Sequence, residues 1–315
     1  MSYTPAIISF LATTLLSPLL ISVLKFFGLT QPIRKELPSN HQVKKGTPLM
    51  LGGVFLTGII IASVFYPAKM TLFLAVTFVL FSFIGFIDDF WKASRQDPGG
   101  ISGKAKLLLQ FLFTGALLAY VVNNFGLDTK VVLYRSIALE LPSIIYIIIV
   151  TLFVVGSANA INFTDGLDGL LGVVAMPTYL FFFSITERVE VKIFCSAMIA
   201  CILGFLLYNL HPAKGFMGDT GSLAIGGSLS ILAVIEKVEI LIPVLFFVYF
   251  AEQLSVILQV AFFKLTSKRL FKMSPVHYHF GLKYGWSENK IVLVFGAISW
   301  VCTVISWLYR EMFMM

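Results

Sequence analysis

Long apolar runs recur from one end of this chain to the other, and they constrain its fold more than any other feature. Each run approaches the roughly 20 residues that a helix needs to cross the hydrocarbon core of a bilayer. Hydrophobic residues make up 58% of the sequence and charged residues 12%, whereas a soluble domain carries about 25% charged residues. The mean hydropathy is +0.92. The sequence therefore predicts an all-α, polytopic membrane protein that forms one domain over residues 1–315.

The apolar runs predict about ten transmembrane helices. They lie at 6–27, 49–66, 69–87, 106–124, 142–160, 168–186, 191–208, 220–235, 239–263 and 291–312. The run at 220–235 is the shortest, and a tilted or partly re-entrant segment is an alternative there. Pro243 and Glu252 lie inside the ninth run and favour a kink or a protrusion from the bilayer at that point.

Basic residues are concentrated in alternate connections between these helices. Of the 23 Lys and Arg, 16 fall in the five connections at 25–48, 88–106, 159–168, 209–219 and 264–290. Cytoplasmic connections carry an excess of Lys and Arg, so these five are predicted to be cytoplasmic and both termini external. With a net charge of +7, we expect membrane lipid and a phosphorylated substrate as partners, rather than nucleic acid.

Most side chains capable of chemistry fall on the same predicted cytoplasmic side. They are Asp88, Asp89, Asp97, Asn159, Asn162, Asp165, Asp168, Asn209, His211, Asp219, His277 and His279. We expect the five connections to converge into one cleft at the membrane surface, which is an arrangement typical of an enzyme.

The first polar motif is a pair of adjacent carboxylates, Asp88-Asp89, at the end of the third run. Two neighbouring carboxylates repel each other and require a cation or a basic side chain nearby. Lys92, Lys104 and Lys106 follow and are suited to compensating phosphate charge. A solvated acidic helix end is the alternative, since an Asp-Asp pair alone is a weak motif.

The second motif, at 159–169, places two Asn, two Asp and two Gly between apolar runs. Asp165 and Asp168 share a face if the segment is helical. They are also suited to capping a helix N-terminus, which is the structural alternative. Capping does not account for the whole cluster, so this segment favours ligand binding.

The third motif, Gly218-Asp219-Thr220-Gly221, leads into the eighth run. Free N–H groups and glycines at a helix N-terminus suit phosphate or metal-phosphate binding. Asp219 offers the hard oxygen ligand that Mg²⁺ prefers. The alternative is a simple capped helix start.

The fourth motif, Pro275-Val276-His277-Tyr278-His279, lies in a basic loop. An isolated His-x-His pair without a third Cys or His nearby does not favour zinc. Imidazoles beside a phosphate site can hydrogen-bond or neutralise developing charge. A further basic and glycine-bearing approach, Lys44-Lys45-Gly46-Thr47-Pro48, precedes the second run.

Taken in order, GFIDDF, NAINFTDGLDGL, GFMGDTGSL and SPVHYHF resemble the motifs of the polyprenyl-phosphate N-acetylhexosamine-1-phosphate transferases. KKGTP followed by Gly52-Gly53, together with PVHYH, is similar to the branch that uses UDP-MurNAc-pentapeptide. The resemblance covers nearly the whole chain. It implies an all-helical, Mg²⁺-dependent enzyme of the bacterial plasma membrane, commonly a homodimer. The implied reaction joins UDP-MurNAc-pentapeptide and undecaprenyl phosphate to give lipid I and UMP in peptidoglycan synthesis.

The resemblance also implies roles for individual residues. Asp219 is expected to be the metal ligand, Asp88 and Asp89 essential acids, and Lys104 a neutraliser of phosphate charge. His277 and His279 are expected to line the sugar–peptide end, with His277 catalytic. The nucleotide pocket is expected to include Lys45, Asp165, Gly166, Leu167, Asp168, Asn209 and Phe216, with Phe216 stacked on uracil and Thr47, Asn159 and Asn162 as neighbours.

The chain departs from the family pattern at two positions. The family usually has three consecutive histidines followed by Phe and an acid. Here Tyr278 replaces the middle histidine, and Gly281 occupies the position of the acid. A tyrosine hydrogen-bonds but is not a cation at neutral pH, so a role that requires the central imidazole is not available to this chain.

Three alternatives stay open on the sequence alone. A covalent route through Asp88 or Asp89 competes with direct attack of the lipid phosphate. A GlcNAc-1-phosphate transferase would share the acids, although the His277-Tyr278-His279 loop and the Lys45-to-Pro48 approach disfavour it. A transporter would place ionisable groups near the bilayer midplane and show internal repeats. Glu252 is the only acid well inside a predicted run, and no repeat is visible.

Overall fold

The computed structural model describes residues 3–32, 46–134 and 137–314, and most of them are helical. In chain order the helices are α1 (Thr4–Phe26), α2 (Leu56–Phe65), α3 (Lys69–Arg95), α4 (Gly103–Asn124), α5 (Ser143–Thr164), α6 (Leu170–Ile185), α7 (Val189–Asn209), α8 (Gly218–Ile235), α9 (Ile242–Leu245), α10 (Phe247–Thr266), α11 (Val276–Tyr284) and α12 (Glu288–Phe313). Short 3₁₀ turns at Leu51–Phe55 and Glu239–Leu241 precede α2 and α9.

Eight of the described helices are long and apolar enough to cross a membrane, namely α1, α3, α4, α5, α7, α8, α10 and α12. Two shorter apolar segments, Leu51–Phe65 and Leu170–Ile185, coincide with the predicted runs at 49–66 and 168–186. The prediction of an all-α polytopic membrane protein is confirmed.

Several local features differ from the sequence expectation. α3 continues to Arg95 rather than ending at 87, so Asp88 and Asp89 lie inside the helix. Lys92 pairs with Asp88 one turn away on the same face, which helps to extend the helix. The run at 220–235 forms α8, an uninterrupted helix of 18 residues, rather than a re-entrant segment. The kink expected in the ninth run lies at Phe246, between α9 and α10.

A small β-hairpin was not expected and lies between α4 and α5. Its antiparallel strands are β1 (Lys130–Tyr134) and β2 (Ile137–Glu140), with Lys130 opposite Glu140 and Val131 opposite Leu139. β-branched and aromatic residues favour extended backbone. The two strands are only five and four residues long, so their alternating pattern is weak beside the long apolar runs on either side, and periodicity alone did not reveal them.

α8 is the central helix of the bundle. Every residue from Thr220 to Ile235 is buried, and the helix packs against α3 and α5. Small residues allow this close approach, as is usual between helices in lipid. A methyl group at Gly226 would lie 2.8 Å from the Cα of Ala158 in α5, and one at Gly85 in α3 would collide with the backbone of Asp219. The start of α8 is thereby fixed against the end of α3.

Candidate active site

A cavity of about 390 Å³ opens at the end of the bundle where α8 begins. Each of the five connections at 25–48, 88–106, 159–168, 209–219 and 264–290 contributes to its wall, so the convergence expected from the sequence is present among the described residues. The side chains and backbone that line it belong to Gln31, Pro32, Leu49, Asp89, Lys92, Pro98, Asn162, Asp165, Gly166, Leu167, Asp168, Asn209, Phe216, Gly218, Asp219, Met273, Ser274, Pro275 and Tyr278.

Three carboxylates meet at one end of this cavity. Oxygen atoms of Asp88, Asp89 and Asp219 lie within 4.8 Å of one another. Asp88 is 2% exposed and Asp89 is fully buried, so water screens their mutual repulsion only weakly. Such a cluster requires positive charge close to it.

Asp89 fastens the first turn of α8. Its carboxylate accepts hydrogen bonds from the backbone N–H groups of Asp219 (3.0 Å) and Thr220 (2.8 Å), and from the Thr220 hydroxyl (2.7 Å). The first N–H groups of a helix have no partner within the helix and favour a negative charge. Asp89 is therefore an anchor that joins α3 to α8 and holds Asp219 in place.

Two lysines bring positive charge to the cluster. Lys92 Nζ lies 2.5 Å from Asp88 Oδ2 and 3.1 Å from Asp219 Oδ2. Lys106, from the first turn of α4, also donates to Asp219 Oδ2 and lies 3.6 Å from Asp88 Oδ2. One negative charge of the five groups stays uncompensated when all are ionised.

The donor set fits a hard divalent cation. Carboxylate oxygens are the protein ligands that such cations prefer, and the two lysine ammonium groups already converge on Asp219 Oδ2. Both oxygens of Asp89 are held by α8, and Asp88 Oδ1 accepts from the N–H of Ile101 (2.9 Å). Oδ2 of Asp88 and Oδ2 of Asp219 each contact Lys92, and a metal ion held by these two atoms would take a position that the lysine ammonium group occupies here.

The end of α5 supplies the next polar layer. Asn162 Nδ2 donates to Asp219 Oδ1 (2.9 Å) and to Ser222 Oγ (2.7 Å), and so fixes the other side of the Asp219 carboxylate. Asp165 follows at the cavity wall. Burial, and then the nearby charges of Asp219 and Asp89, raise the pKa of Asp165 to about 8. Asp165 is therefore largely protonated at neutral pH and does not add to the negative charge of the cluster.

The loops on the far wall are tied to each other by side chains from the sequence motifs. Asp168 Oδ2 accepts from the N–H of Ala213 (3.0 Å) and lies 2.9 Å from His211 Nδ1. Asn209 accepts from the N–H of Gly169 (3.0 Å) and donates to the carbonyl of Gly215 (2.9 Å). These bonds set the position of the 165–169 loop relative to Phe216.

The histidine motif forms the start of α11, and its residues lie at different depths. His277 is fully buried, with Nδ1 3.1 Å from Glu252 Oε2 of α10. The Tyr278 hydroxyl donates to the carbonyl of Gly166 (3.1 Å) and lines the cavity. Burial raises the pKa of Tyr278, which keeps it neutral. His279 is not among the described residues that line the cavity, and its Nδ1 accepts a hydrogen bond from the N–H of Lys272 (3.0 Å). Burial, and then the charges of Lys283 and Lys272, lower the pKa of His279.

Comparison with known proteins agrees with this arrangement. A family model described as glycosyl transferase family 4 matches residues 71–237. The phospho-N-acetylmuramoyl-pentapeptide-transferase of Clostridium acetobutylicum is 40% identical over 308 residues, covering 96% of each chain. That of Halalkalibacterium halodurans is 41% identical over 303 residues, covering 93% of this chain and 92% of the relative. That of Staphylococcus carnosus is 41% identical over 319 residues, covering 97% and 98%. The chain belongs to the phospho-N-acetylmuramoyl-pentapeptide-transferase family.

The shared family segment carries most of the site. Residues 71–237 contain the three carboxylates, both lysines and the loops around Asp165 and Asn209. The histidine motif lies beyond that segment but within the length over which the relatives align. Membership of the family therefore rests on nearly the whole chain, and the carboxylate cluster lies within the segment that the family model matches.

Several predicted site residues lie away from the cavity. Lys104, which was expected to neutralise phosphate charge, is exposed on the first turn of α4, whereas Lys106 contacts Asp219. Asn159 donates to Gln110 of α4 rather than facing the cavity (2.6 Å). The Thr47 carbonyl accepts from the N–H of Gln31 (3.0 Å), and Thr47 is not among the described cavity-lining residues. Lys45 lies outside the described residues.

Some residues at the site were missed as individual candidates. Lys92 and Lys106 were expected only as general charge compensation, although Lys92 follows Asp88 by four residues, the spacing that places it on the same helical face. Pro98, Met273 and Gln31 belong to loops without a chemical signature. Nothing in their sequence context distinguishes them from other loop residues.

Proposed function

We propose that the chain transfers phospho-MurNAc-pentapeptide from UDP-MurNAc-pentapeptide to undecaprenyl phosphate, releasing UMP and forming lipid I. The observation that carries the proposal is the cluster of Asp88, Asp89 and Asp219 with Lys92 and Lys106 at the cavity. It stands in a chain about 40% identical to relatives that bear the name of this transferase.

The main obstacle to this reaction is the negative charge that it brings together. A lipid monophosphate approaches a nucleotide diphosphate, so charge neutralisation should dominate the catalytic effect. Lys92 and Lys106 supply two cationic groups on the phosphate side of the cavity. We propose Mg²⁺ as the metal, held by Asp219 and Asp88, where it would neutralise phosphate charge and polarise a phosphoryl oxygen.

The proposed chemical step is direct attack. An oxygen of the lipid phosphate forms a bond to the β-phosphorus, the bond from that phosphorus to the UMP oxygen breaks, and UMP leaves with the electron pair. A phosphate monoester has a second pKa of about 6, so the nucleophile is already largely ionised at neutral pH. Asp88 would orient the acceptor phosphate or accept its remaining proton.

The position of Asp89 supports direct attack over a covalent route through that residue. Both of its oxygens accept hydrogen bonds from the start of α8, at 2.7 to 3.0 Å. A carboxylate that stabilises a helix terminus would have to abandon those bonds to act as a nucleophile. Asp89 therefore serves the reaction by holding Asp219.

The nucleotide is proposed to lie at the opposite wall of the cavity. Phe216 is available there for stacking on uracil, next to Asn209 and the 165–168 loop. The roles of Lys45, Thr47, Asn159 and Lys104 stay predictions. At the proposed sugar–peptide end, Tyr278 faces the cavity while His277 supports it from behind, so Tyr278 is the residue of this motif that we expect to meet substrate.

The proposal also includes an orientation. The basic connections that line the cavity favour the cytoplasmic face of the bacterial plasma membrane. UDP-linked substrate would enter from that side, and undecaprenyl phosphate from the bilayer. A homodimer is a prediction from the family resemblance.

One assay tests the proposed function. Purified chain in detergent is given undecaprenyl phosphate, Mg²⁺ and either UDP-MurNAc-pentapeptide or UDP-GlcNAc, and UMP release is measured. We expect release only with the first nucleotide and only when the lipid is present. Release with UDP-GlcNAc alone would favour the GlcNAc-1-phosphate transferase, and no release with either would contradict both.

A second assay tests the chemical step. The chain is incubated with radiolabelled UDP-MurNAc-pentapeptide without acceptor lipid, then denatured and separated from free nucleotide. Direct attack predicts no label on the protein. A labelled phosphosugar adduct that is lost in Asp88→Asn would establish the covalent route instead.

A further inference from the structure

At the site end of α4 the fully buried side chains are polar, and the apolar Leu109 and Phe113 pack against the core while only partly buried. The buried residues of α4 are Gln110, Thr114, Leu117, Leu118 and Val121. Leu117, the first buried apolar residue, is eleven positions beyond Lys106, which is about 16 Å along a helix that rises 1.5 Å per residue. Between Lys106 and Leu117, the fully buried side chains among the described residues are therefore the polar Gln110 and Thr114.

Gln110 makes the contact that joins this segment to α5. Its side chain is fully buried, and its Oε1 accepts a hydrogen bond from Asn159 Nδ2 at 2.6 Å. Asn159 Nδ2 also donates to the Val155 carbonyl of its own helix at 2.8 Å. A hydrogen bond between helices within the bilayer region fixes both their distance and their register.

The same two helices meet again one turn nearer the cavity, at Asp219. Lys106 and Gln110 are four residues apart on α4, and Asn159 and Asn162 are three apart on α5, so each pair shares a helical face. Asn162 donates to Asp219 Oδ1 and Lys106 donates to Asp219 Oδ2. The Gln110–Asn159 bond therefore lies directly beneath the contact that brings Lys106 to the carboxylate cluster.

We infer that Gln110 is a positioning residue for the transfer reaction, acting through Lys106. Its bond to Asn159 holds the first turns of α4 against α5, so that the Lys106 ammonium stays at Asp219 when phosphate arrives. Without that bond the first turns of α4 lose their fully buried contact with α5 and keep only the partly buried Leu109 and Phe113 against the core, so the segment opens more often. The inference rests on the proposed function only for its effect on turnover.

The test begins with Gln110→Leu, which keeps a similar volume and removes the acceptor. Asn159 keeps its bond to Val155 but loses the acceptor of its second N–H. The substitution also removes the Gln110 Nε2 amide, which has no partner among the described residues, so the number of unpaired buried donors does not rise and we expect the fold to survive. Turnover measured as UMP release should fall at least about tenfold, because a small misplacement of a charged group is costly to the transition state. The KM for the nucleotide substrate should change by less than about twofold, since Lys106 does not line the nucleotide wall.

Thr114→Val is the matched control. Thr114 is buried one turn further along the same face, and its hydroxyl has no hydrogen-bond partner among the described residues. This substitution removes a buried hydroxyl without removing a contact between helices, and turnover should stay within about twofold of the parent. An equal loss in Thr114→Val and Gln110→Leu would overturn the inference, because it would indicate general sensitivity of α4.

A double-mutant cycle separates positioning from a direct effect. In the Lys106→Met background, Gln110→Leu should lower turnover no further, because the group that it positions is already gone. A full, additive loss in that background would overturn the inference. If Gln110→Leu does not fold, Gln110→Met replaces it in every arm of the experiment.

A thiol-labelling arm does not depend on activity. Lys106→Cys places a thiol at the contact, while the native Cys195, Cys201 and Cys302 are all buried and give a low background that the parent chain measures. Labelling by a charged methanethiosulfonate should be at least about fivefold faster when Gln110→Leu is added, because the segment opens more often. Unchanged labelling would overturn the inference. If the parent chain releases no UMP, the proposed function fails and this arm alone decides the positioning role.

Discussion

The two ends of the bundle both collect charged side chains, but they pair them in different ways. At the site end three carboxylates share two lysines, and like charges face each other. At the opposite end, where α8 finishes, Lys237 lies between Asp128 (3.3 Å) and Glu239 (3.5 Å), and Glu239 accepts from the Tyr146 hydroxyl (2.7 Å). Burial raises the pKa of Glu239, and Lys237 and Tyr146 oppose that shift.

The difference separates stability from function. At the far end Lys237 pairs with two acidic side chains, and the Tyr146 hydroxyl donates a hydrogen bond to one of them. This network joins the segment before β1 to α5 and to the end of α8. At the site end the carboxylates are held together against their repulsion by Asp89, Asn162 and the lysines. Real proteins depart from local rules at functional sites. Substitutions at the site end should therefore affect turnover, and those at the far end should affect folding.

Metal removal should produce the largest effect. We expect a chelator to abolish UMP release and excess Mg²⁺ to restore it. Without the metal ion at Asp88 and Asp219, the phosphates lack the positive charge that neutralises them. A ligand that binds only the folded state at 100 times its Kd stabilises by about 2.7 kcal/mol, so Mg²⁺ should also raise the Tm of the parent chain. Full activity in chelator with no change in Tm would contradict the metal site.

Asp219→Asn should come next. Loss of the carboxylate that both lysines and the proposed metal share should lower turnover by at least about 1000-fold. The Tm should stay close to that of the parent, because the loss of repulsion from Asp88 and Asp89 is offset by the loss of the ion pairs with Lys92 and Lys106. Circular dichroism melts and UMP release on the same preparation measure both. A variant that loses activity only because it unfolds would refute the separation between the two ends.

Lys106→Met and Lys104→Met form a matched pair on one turn of α4. Lys106 donates to Asp219, whereas Lys104 is exposed. We expect Lys106→Met to lower turnover by about 100-fold and Lys104→Met by less than about threefold. The reverse order would restore the role that the sequence resemblance assigned to Lys104.

The smallest effect on turnover should come from the far end. Tyr146→Phe removes a donor from Glu239, whose second oxygen already has no partner among the described residues. The free energy of unfolding should fall by about 1–3 kcal/mol, while UMP release at a permissive temperature stays unchanged. Tyr120→Phe, at a side chain that is 45% exposed, is the control and should leave both quantities unaltered.

Sequence patterns predicted the membrane class and the helices, because apolar runs of this length form few structures other than membrane-spanning helices. They did not predict where α3 ends, since its last turns are stabilised by Lys92 and by packing of Gly85 on α8. They also could not choose between Lys104 and Lys106. Two lysines separated by one residue point to different sides of a helix, and the docked rotation of α4 decides which one reaches the cluster.

The sequence motifs predicted which segments form the candidate site, but not the direction in which each side chain of a motif points. Asn159 and Asn162 occupy one motif, yet the first contacts Gln110 and the second contacts Asp219. His277 and Tyr278 are adjacent, yet the first is buried against Glu252 and the second faces the cavity. In each case a partner from a distant helix sets the direction, and such partners are not visible in local spacing.

The complete burial of α8 has a consequence for the lipid environment. Outer helices such as α1, α4 and α10 have most of their surface available to acyl chains, and a bilayer of different thickness acts on them by changing their tilt. Asp219 is carried instead by a helix that other helices surround on all sides. A change in acyl-chain length should therefore act on the carboxylate cluster through α4, which carries Lys106 to Asp219, while the helix that carries Asp219 is shielded from the lipid by its neighbours.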